Sequence, residues 1–481
     1  MEKKFFIYFQ ILNLALVTCY IKIPLKFHPC QIFFNTSYPS NAFSSMVMQQ
    51  LYAKLEIGTP KQTILVPLEL ESNEFYISKY NSHLSNEKYK AFNLKNFQEE
   101  SSLSFRYSNY DEEIIYYGTN FLRASISKDL FFFGDKKAEL EFYLADTLNE
   151  ETPGELGLQI KPLNELDTAF DSEDKFFLKK LRNSGLIKNY IWTIIYNNNH
   201  DDNDKNDVDA YLFIGDYLHN INSNELNLKY TFKQESLSSL NAYIYSKVVT
   251  PMFEMDKLIF YKDDPSNNII EENTNHNKDL LNVKLDFNLN GIQASEVIRP
   301  YLELNIFTEE NKCHKGDFYY QNKFFFYYCD KDLSSINKIK KDFPTILFMY
   351  QDFNFNFTIT IDDIIVEKDG YFYFLIFFGD YHKYVWRLGK PFLNKYNFMI
   401  DQDENKIFFY SEKEEVVLPG FQKKYLVVLL IILIIIFLLL GFLIGRKLYK
   451  TKIKKHMNIL DDNFDYTIQS SKSEIEMSKK I

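Results

Sequence analysis

The sequence predicts an all-β protein followed by one transmembrane helix, and two features carry this prediction. Between residues 51 and 415, short runs rich in aromatic and β-branched residues often alternate in polarity, as half-buried strands do. Residues 425–445 then form a run of 21 residues without a charged side chain. As a helix, this run is long enough to cross a hydrocarbon core of about 30 Å, because each residue adds about 1.5 Å.

The two ends of the chain predict its topology. Lys3 and Lys4 precede an apolar run at residues 5–17, which has the layout of a secretory signal peptide ending near residue 19; a retained anchor is the alternative. Basic residues without an intervening acid follow residue 445, and positive charge marks the cytoplasmic side. We therefore expect a single-pass membrane protein of the secretory pathway. Its polar tail, residues 446–481, lies in the cytoplasm, and its ectodomain faces the lumen or the outside at the plasma or an endolysosomal membrane.

The composition predicts a folded ectodomain and argues against a nucleic-acid partner. The chain has 481 residues, of which 46% are hydrophobic and 25% are charged, so a folded globular ectodomain is expected. The formal net charge is -10. An acidic protein lacks the basic face that a nucleic-acid partner requires.

The four cysteines fit an oxidising compartment. Cys19 leaves with the signal peptide. Cys313 and Cys329 close a short loop and form the natural disulfide pair, worth about 3 kcal/mol in the chain-entropy model. Cys30 is left over, either free or paired between molecules.

Other local patterns predict modification rather than metal binding. Asn35 and Asn356 each begin an Asn-X-Ser/Thr sequence and are candidate glycosylation sites. No Cys-X-X-Cys spacing supports zinc. The polar tract at residues 197–209 reads as a solvated loop rather than a calcium site, because it lacks the glycine and terminal glutamate of a calcium loop. We expect neither a metal nor a cofactor.

Five motifs follow one another in a recognisable order between residues 48 and 415. They are LEIGTPKQ at 55–62, PGELGL at 153–158 with the helix and strand at 176–196, YLFIG at 211–215, FPTILF at 343–348, and the run that begins WRLG at 386 and ends NKIFF at 409. This order resembles the pepsin-like aspartic protease family. The resemblance implies two β-rich lobes, residues 48–229 and 230–415, with a cleft between them. Residues 20–47 are then an N-terminal extension or a pro-segment.

The resemblance also implies where catalytic acids should stand. In that family each lobe supplies an aspartate from an Asp-Thr/Ser-Gly loop, and the two carboxylates share a proton and activate one water. Counting from Pro60 places Glu69 at the first position, in a loop that reads Glu69-Leu70-Glu71-Ser72. Only Ser72 matches the family, because Glu69 is longer by a methylene, Leu70 has no hydroxyl and Glu71 replaces glycine.

The second catalytic position is assigned to Asp286. Phe287 replaces the hydroxyl residue and Asn288 replaces glycine, and a helix is expected at residues 294–302, before Cys313. A competing placement is residues 303–305, which leaves too little chain for that helix.

The hairpin that closes over substrate in the family is assigned to residues 105–110. Tyr107 then falls on the family's flap tyrosine and is a candidate substrate-binding residue.

Three hypotheses follow. The first is a membrane-anchored pepsin-family protein that is catalytically impaired and keeps a cleft for a peptide or protein ligand, because backbone hydrogen bonds can hold a peptide without the acids. The second is an active aspartic endopeptidase with an atypical pair formed by Glu69 and Asp286. The third is a non-catalytic receptor or adhesion ectodomain.

Overall fold

The computed structural model of the protein describes residues 20–29, 39–70, 72, 75–79, 95–117, 120–146, 154–159, 176–197, 208–217, 224–227, 229–235, 246–263, 268–273, 281–320, 322–350, 352–353, 355–379, 385–410, 446–447 and 449. The chain forms two compact units, which are Met1–Val416 and Val417–Ile481. The first unit carries the strands and the candidate site.

Strands dominate the described residues, as the sequence predicts. The first thirteen are β1 (Ile21–Pro29), β2 (Gln49–Ile57), β3 (Gln62–Glu69), β4 (Phe75–Ser78), β5 (Arg106–Tyr117), β6 (Asn120–Phe133), β7 (Lys136–Asp146), β8 (Gly154–Gly157), β9 (Ile191–Tyr196), β10 (Ala210–Ile214), β11 (Asn224–Asn227), β12 (Lys229–Glu235) and β13 (Ser246–Met255). They are followed by β14 (Lys257–Tyr261), β15 (Asn268–Asn273), β16 (Leu281–Leu285), β17 (Ile292–Ala294), β18 (Cys313–Tyr320), β19 (Asn322–Asp330), β20 (Thr345–Met349), β21 (Phe357–Ile359), β22 (Ile365–Lys368), β23 (Tyr371–Gly379), β24 (Val385–Leu388), β25 (Phe398–Asp401) and β26 (Lys406–Phe409).

Short helices connect some of these strands. They are α1 (Ser40–Val47), α2 (Phe177–Asn183), α3 (Arg299–Asn305), α4 (Leu333–Asp342), α5 (Ile361–Ile364) and α6 (Lys390–Leu393), with a 3₁₀ turn at Glu99–Ser101.

Three sheets are formed by the described strands. The first has 13 strands in the order β11-β26-β25-β9-β10-β1-β2-β3-β8-β4-β7-β6-β5. The second has nine, in the order β12-β13-β16-β24-β17-β23-β19-β18 with β22 beside β23, and the third has four, in the order β15-β14-β20-β21. The sheets share one apolar core that is rich in phenylalanine.

The residues expected to form an N-terminal extension contribute to this architecture. Strand β1 pairs antiparallel with β2 on one side and with β10 on the other. On α1, Phe43 is fully buried and stacks on Phe326 of β19, with ring centroids 4.0 Å apart. Removal of β1 would leave the facing edges of β2 and β10 without partners, so this strand is part of the folded sheet.

The last strands of the unit return to the first sheet. Residues 398–409 were expected within the second lobe, but β25 pairs with β9 and β26 pairs with β11. The C-terminal strands therefore complete a sheet built mainly by the N-terminal half of the chain.

One expected helix is wrong in its first part. Within the predicted helix at residues 294–302, Ala294 is the last residue of β17, which pairs parallel with β23 and antiparallel with β24, and a turn occupies residues 296–298. Ala294 is buried opposite Phe378 of β23, and a helix that began at Ala294 would withdraw it from that strand. The helix α3 begins only at Arg299.

The disulfide between Cys313 and Cys329 is confirmed, and it joins the paired strands β18 and β19. Cys30, Asn35, the expected signal peptide and the apolar run at residues 425–445 lie outside the described residues. Within the residues that are described, no helix has the length and apolar character needed to cross a membrane.

Candidate active site

The backbone of the first acidic loop is fixed by a neighbouring strand. Glu69 is the last residue of β3, and it pairs in parallel register with Gly157 of β8. Its carbonyl accepts a hydrogen bond from the Leu158 N–H at 3.0 Å, and the Gln159 side chain donates to the carbonyl of Leu70. The strand end therefore sets the point from which the Glu69 side chain projects.

The Glu69 carboxyl is held by one amide. Gln50 Nε2 donates to Glu69 Oε1 at 2.8 Å, while the Tyr52 hydroxyl donates to Gln50 Oε1 at 3.4 Å. Burial raises the pKa of Glu69 to about 7; the Gln50 hydrogen bond opposes this, the charge of Asp286 adds to it and that of Lys284 opposes it. Glu69 is therefore a neutral acid below neutral pH.

Asp286 lies directly after β16, where its N–H donates to the carbonyl of Leu388 at 3.0 Å. Its Oδ1 accepts from the Asn288 N–H at 3.1 Å. Its Oδ2 accepts from Arg387 Nε at 2.9 Å and also from Arg387 Nη2. Asp286 is 8% exposed, so this ion pair is nearly buried, and two nitrogens of the guanidinium donate to one carboxylate oxygen.

The partners of Asp286 decide its ionisation. Burial alone would raise the pKa of this carboxyl, but the charges of Arg387 and Lys284, with hydrogen bonds from Arg387 and from the Asn288 N–H, lower the pKa below its ordinary value. Asp286 is thus an ionised carboxylate held by a guanidinium.

A second cation lies beside this pair. Lys284 of β16 and Arg387 of β24 are directly in register on neighbouring parallel strands. Burial lowers the pKa of Lys284 to about 8; the charge of Arg387 adds to this, and those of Asp286 and Glu69 oppose it. The structure therefore brings together two acids, Glu69 and Asp286, and two bases.

The two carboxyls influence each other electrostatically. Both charges raise the pKa of Lys284, and the charge of Asp286 raises the pKa of Glu69. Among the described residues, however, the Glu69 carboxyl is hydrogen-bonded to Gln50, and the Asp286 carboxyl is hydrogen-bonded to Arg387 and Asn288.

The residues after the two acids provide apolar packing in place of hydroxyls. Phe287 is 2% exposed, with ring centroids 5.7 Å from Trp192 and 5.1 Å from Phe398. Leu70 is also buried. Neither side chain can donate a hydrogen bond across the site.

Asn288 supplies a different connection between the halves of the site. Its Oδ1 accepts from the Leu51 N–H at 3.1 Å, and its carbonyl accepts from the Gln49 N–H at 3.1 Å. Two residues on, the Asn290 N–H donates to the carbonyl of Val47 at 2.7 Å. The loop of Asp286 is thereby joined to the start of β2.

The competing second position is placed elsewhere. Glu303 lies in α3, and its carboxylate accepts from Lys315 Nζ at 2.9 Å and from the Tyr327 hydroxyl. It is therefore engaged on the α3 surface, whereas Asp286 stands next to Glu69.

Tyr107 lies near the start of the β5–β6 hairpin, opposite Ser127, and its ring packs edge-on against Phe105 at 5.0 Å. The last paired residues of the hairpin are Tyr117 and Asn120. At about 3.3 Å per residue, this pair is roughly 30 Å along the strand from Tyr107. The substrate-binding role of Tyr107 stays a prediction.

Sequence reasoning missed the residues that surround the acids, namely Gln50, Lys284 and Arg387. A signal for two of them was present, since Lys284 and Arg387 are single charges inside the apolar strands VKL and VWRL. A charge in a buried strand usually needs a partner, and Asp286 is that partner for Arg387.

Two other predictions concern glycosylation and metal binding. Asn356 is exposed just before β21, and its glycosylation remains a prediction. Among the described residues, no group of three or more His, Cys, Asp and Glu side chains could hold a metal ion.

Comparison with known families covers the part of the chain that contains Glu69. Residues 50–239 match the family model described as eukaryotic aspartyl protease. The match includes Glu69 and Tyr107 and ends before Asp286. No curated protein matches the chain.

Proposed function

Because the chain is a member of the pepsin-like aspartic protease family, we propose that it is a membrane-anchored, catalytically impaired member whose cleft binds an extended peptide. The observation that carries the proposal is the ion pair between Arg387 and Asp286.

Hydrolysis by paired carboxyls needs a base that can take a proton from the attacking water. A catalytic base works best when its pKa lies near the working pH. Arg387 lowers the pKa of Asp286 and takes up one of its oxygens with two hydrogen bonds. Asp286 is therefore a weak base with few free acceptor positions for a water molecule.

The first loop adds a second impairment. Glu69 projects one methylene further than an aspartate and is turned towards Gln50. Catalysis falls steeply when a reacting group is misplaced by about 1 Å. Leu70 and Phe287 supply no hydroxyl that would bring the two loops back into alignment.

Peptide binding does not depend on these acids. Extended peptides are held mainly by backbone hydrogen bonds to strands and hairpins. The β5–β6 hairpin supplies such an element, because β5 is an edge strand of the first sheet among the described strands.

A second candidate is an active endopeptidase in which Glu69 is the acid and Asp286 the base. One observation favours it: the surroundings push the pKa values of the two carboxyls apart, Glu69 upwards and Asp286 downwards. Such a split is the usual sign of an acid and base pair.

Hydrolysis separates the two candidates. The full-length protein is incubated with a reduced and alkylated, hence unfolded, protein between about pH 3 and pH 7, with and without a pepstatin-type inhibitor. We expect the wild type and the Asp286→Ala variant to release the same small amount of peptide. Cleavage that is lost in Asp286→Ala and in Glu69→Gln, and blocked by the inhibitor, would establish the active endopeptidase instead.

The membrane anchor is part of the proposal. It is supported by the uncharged run at residues 425–445 and the basic residues that follow it. The disulfide fits a secretory compartment. The test is extraction of cell membranes with alkaline carbonate: the full chain should stay with the membranes and a chain ending at Val416 should be released. Release of the full chain would contradict the anchor.

A further inference from the structure

We infer that residues 20–29, which carry β1, are a permanent part of the folded protein and are not removed by a maturation cleavage. The site at Glu69 and Asp286 is then complete as soon as the chain folds, and it does not await a cut before β2. This inference goes beyond the proposed function and does not depend on it, because it holds equally for a peptide-binding protein and for an active endopeptidase.

The first argument is the place of β1 in the first sheet. Among the described strands, β1 is the link between β10 and β2 in the strand order. The C-terminal strands β25 and β26 lie on the β10 side, and β3, which ends at Glu69, lies on the β2 side. Loss of β1 would therefore divide this sheet and create two unpaired edges near its centre.

The second argument is burial. The side chains of Ile21, Ile23 and Leu25 are each 1% exposed and belong to the apolar core. They alternate along β1 with positions that are less buried, such as the exposed Lys22. A cut that released β1 would return to water both these side chains and the apolar surface that they cover, which opposes release.

The third argument is hydrogen bonding at both ends of β1. The Asp209 N–H donates to the carbonyl of Leu25 at 3.0 Å, and the Phe27 N–H donates to Asp209 Oδ2 at 2.7 Å. Near the other end, Lys136 Nζ donates to the carbonyl of Tyr20 at 2.7 Å. Two distant parts of the chain therefore hold this strand in addition to its neighbours in the sheet.

The fourth argument concerns the helix that follows β1. Phe43 of α1 stacks on Phe326 in the second sheet. At the end of α1, the carbonyl of Val47 accepts from the Asn290 N–H at 2.7 Å, and that of Met46 accepts from Asn290 Nδ2 at 3.0 Å. These contacts fix α1 against the second sheet and the loop of Asp286, so α1 is not available to take the place of β1.

The first experiment determines where the folded protein begins. The chain carries an affinity tag after Ile481, is purified from the cells that make it and is separated from aggregates by size exclusion. Its N terminus is then sequenced. We expect a single first residue at or before Ile21. A folded protein with any first residue after Pro29 would overturn the inference.

The second experiment asks whether β1 contributes to the stability of the purified protein. Ile23→Val removes one buried methyl group and should raise the equilibrium constant of urea unfolding by about two- to tenfold. Ile64→Val is the matched control, because Ile64 is also 1% exposed and lies on β3, beyond any cut before β2. Its unfolding constant should rise by a similar factor.

A protein that begins at or before Ile21 and is destabilised by both substitutions supports the inference. If Ile64→Val lowered the stability while Ile23→Val matched the wild type, β1 would be absent from the folded sheet, and the inference would be wrong. Neither result bears on whether the site binds or cleaves a peptide, so the proposed function stands or falls by its own test.

Discussion

The loops around Glu69 and Asp286 present the same chemical group in two different surroundings. Glu69 has one neutral amide partner, and its removal from water raises its pKa to about 7. Asp286 is at least as enclosed, yet two cations lower its pKa. Partners therefore outweigh burial in one loop but not in the other, and below neutral pH the site holds one neutral and one ionised acid.

The largest expected effect comes from breaking the ion pair of the second loop. Arg387→Met leaves Asp286 charged and enclosed without its main partner, which should lower the free energy of unfolding by about 3–5 kcal/mol near neutral pH. Urea unfolding followed by tryptophan fluorescence checks this. The loss should shrink as the pH falls and Asp286 takes up a proton.

Arg106→Met is the control for that variant. Its side chain is 61% exposed and pairs with Glu139, so its replacement should cost less than about 1 kcal/mol. Equal losses in the two variants would mean that the Asp286 pair has no special role.

Neutralising Glu69 in the first loop should have a somewhat smaller effect on the free energy of unfolding, and it should raise this free energy instead of lowering it. Wild-type Glu69 takes up its proton more readily when folded, so its contribution to stability is complete below about pH 4.5 and is lost as the pH rises through about 7. Glu69→Gln should therefore match the wild type in acid and be more stable by up to about 3 kcal/mol above neutral pH.

The measurement is urea unfolding of Glu69→Gln and wild type at a series of pH values. Glu309→Gln, at an exposed turn residue, is the control and should show no such divergence. Parallel pH curves for Glu69→Gln and wild type would contradict the raised pKa.

The hydrogen bond between the Asp286 loop and β2 gives a third, smaller effect on stability. Asn288→Ala removes the acceptor of the Leu51 N–H and should cost about 1–2 kcal/mol of unfolding free energy. Asn305→Ala, which removes an exposed amide from α3, should cost less than about 0.5 kcal/mol. A loss no larger than that of the control would show that the side chain of Asn288 does not join the halves.

The smallest effect concerns the partner of Glu69. Gln50→Ala removes a hydrogen bond that lowers the pKa of Glu69, so this pKa should rise further, by an amount that corresponds to about 1 kcal/mol. The midpoint of the pH-dependent stability should move upwards accordingly. A midpoint that moves down would show that the Gln50 amide does not favour the charged carboxyl.

Much of the fold could be predicted from sequence because its signals are local. The turn at residues 58–60 fixes the distance to Glu69, and the spacing of Cys313 and Cys329 matches an antiparallel strand pair. The position of β17 could not be predicted this way, because Ile292 and Ala294 are held by strands that lie far along the chain.

The same limit applies to the site. The sequence identifies Glu69 and Asp286 as candidate acids, but their ionisation depends on residues brought close only by folding. Arg387 is 101 positions from Asp286, and Gln50 meets Glu69 across β2 and β3. A pattern of residue types along one chain segment carries no information about such partners.

The opposite ionisation of the two acids is tested most directly by infrared difference spectroscopy of wild type against Glu69→Gln. At about pH 6 the difference spectrum should contain the band of a protonated carboxyl, and this band should disappear only as the pH passes about 7. The account would be contradicted if the difference spectrum at about pH 6 already showed an ionised carboxylate. In that case the band of the protonated carboxyl would appear only below about pH 4.5, the ordinary pKa of a glutamate.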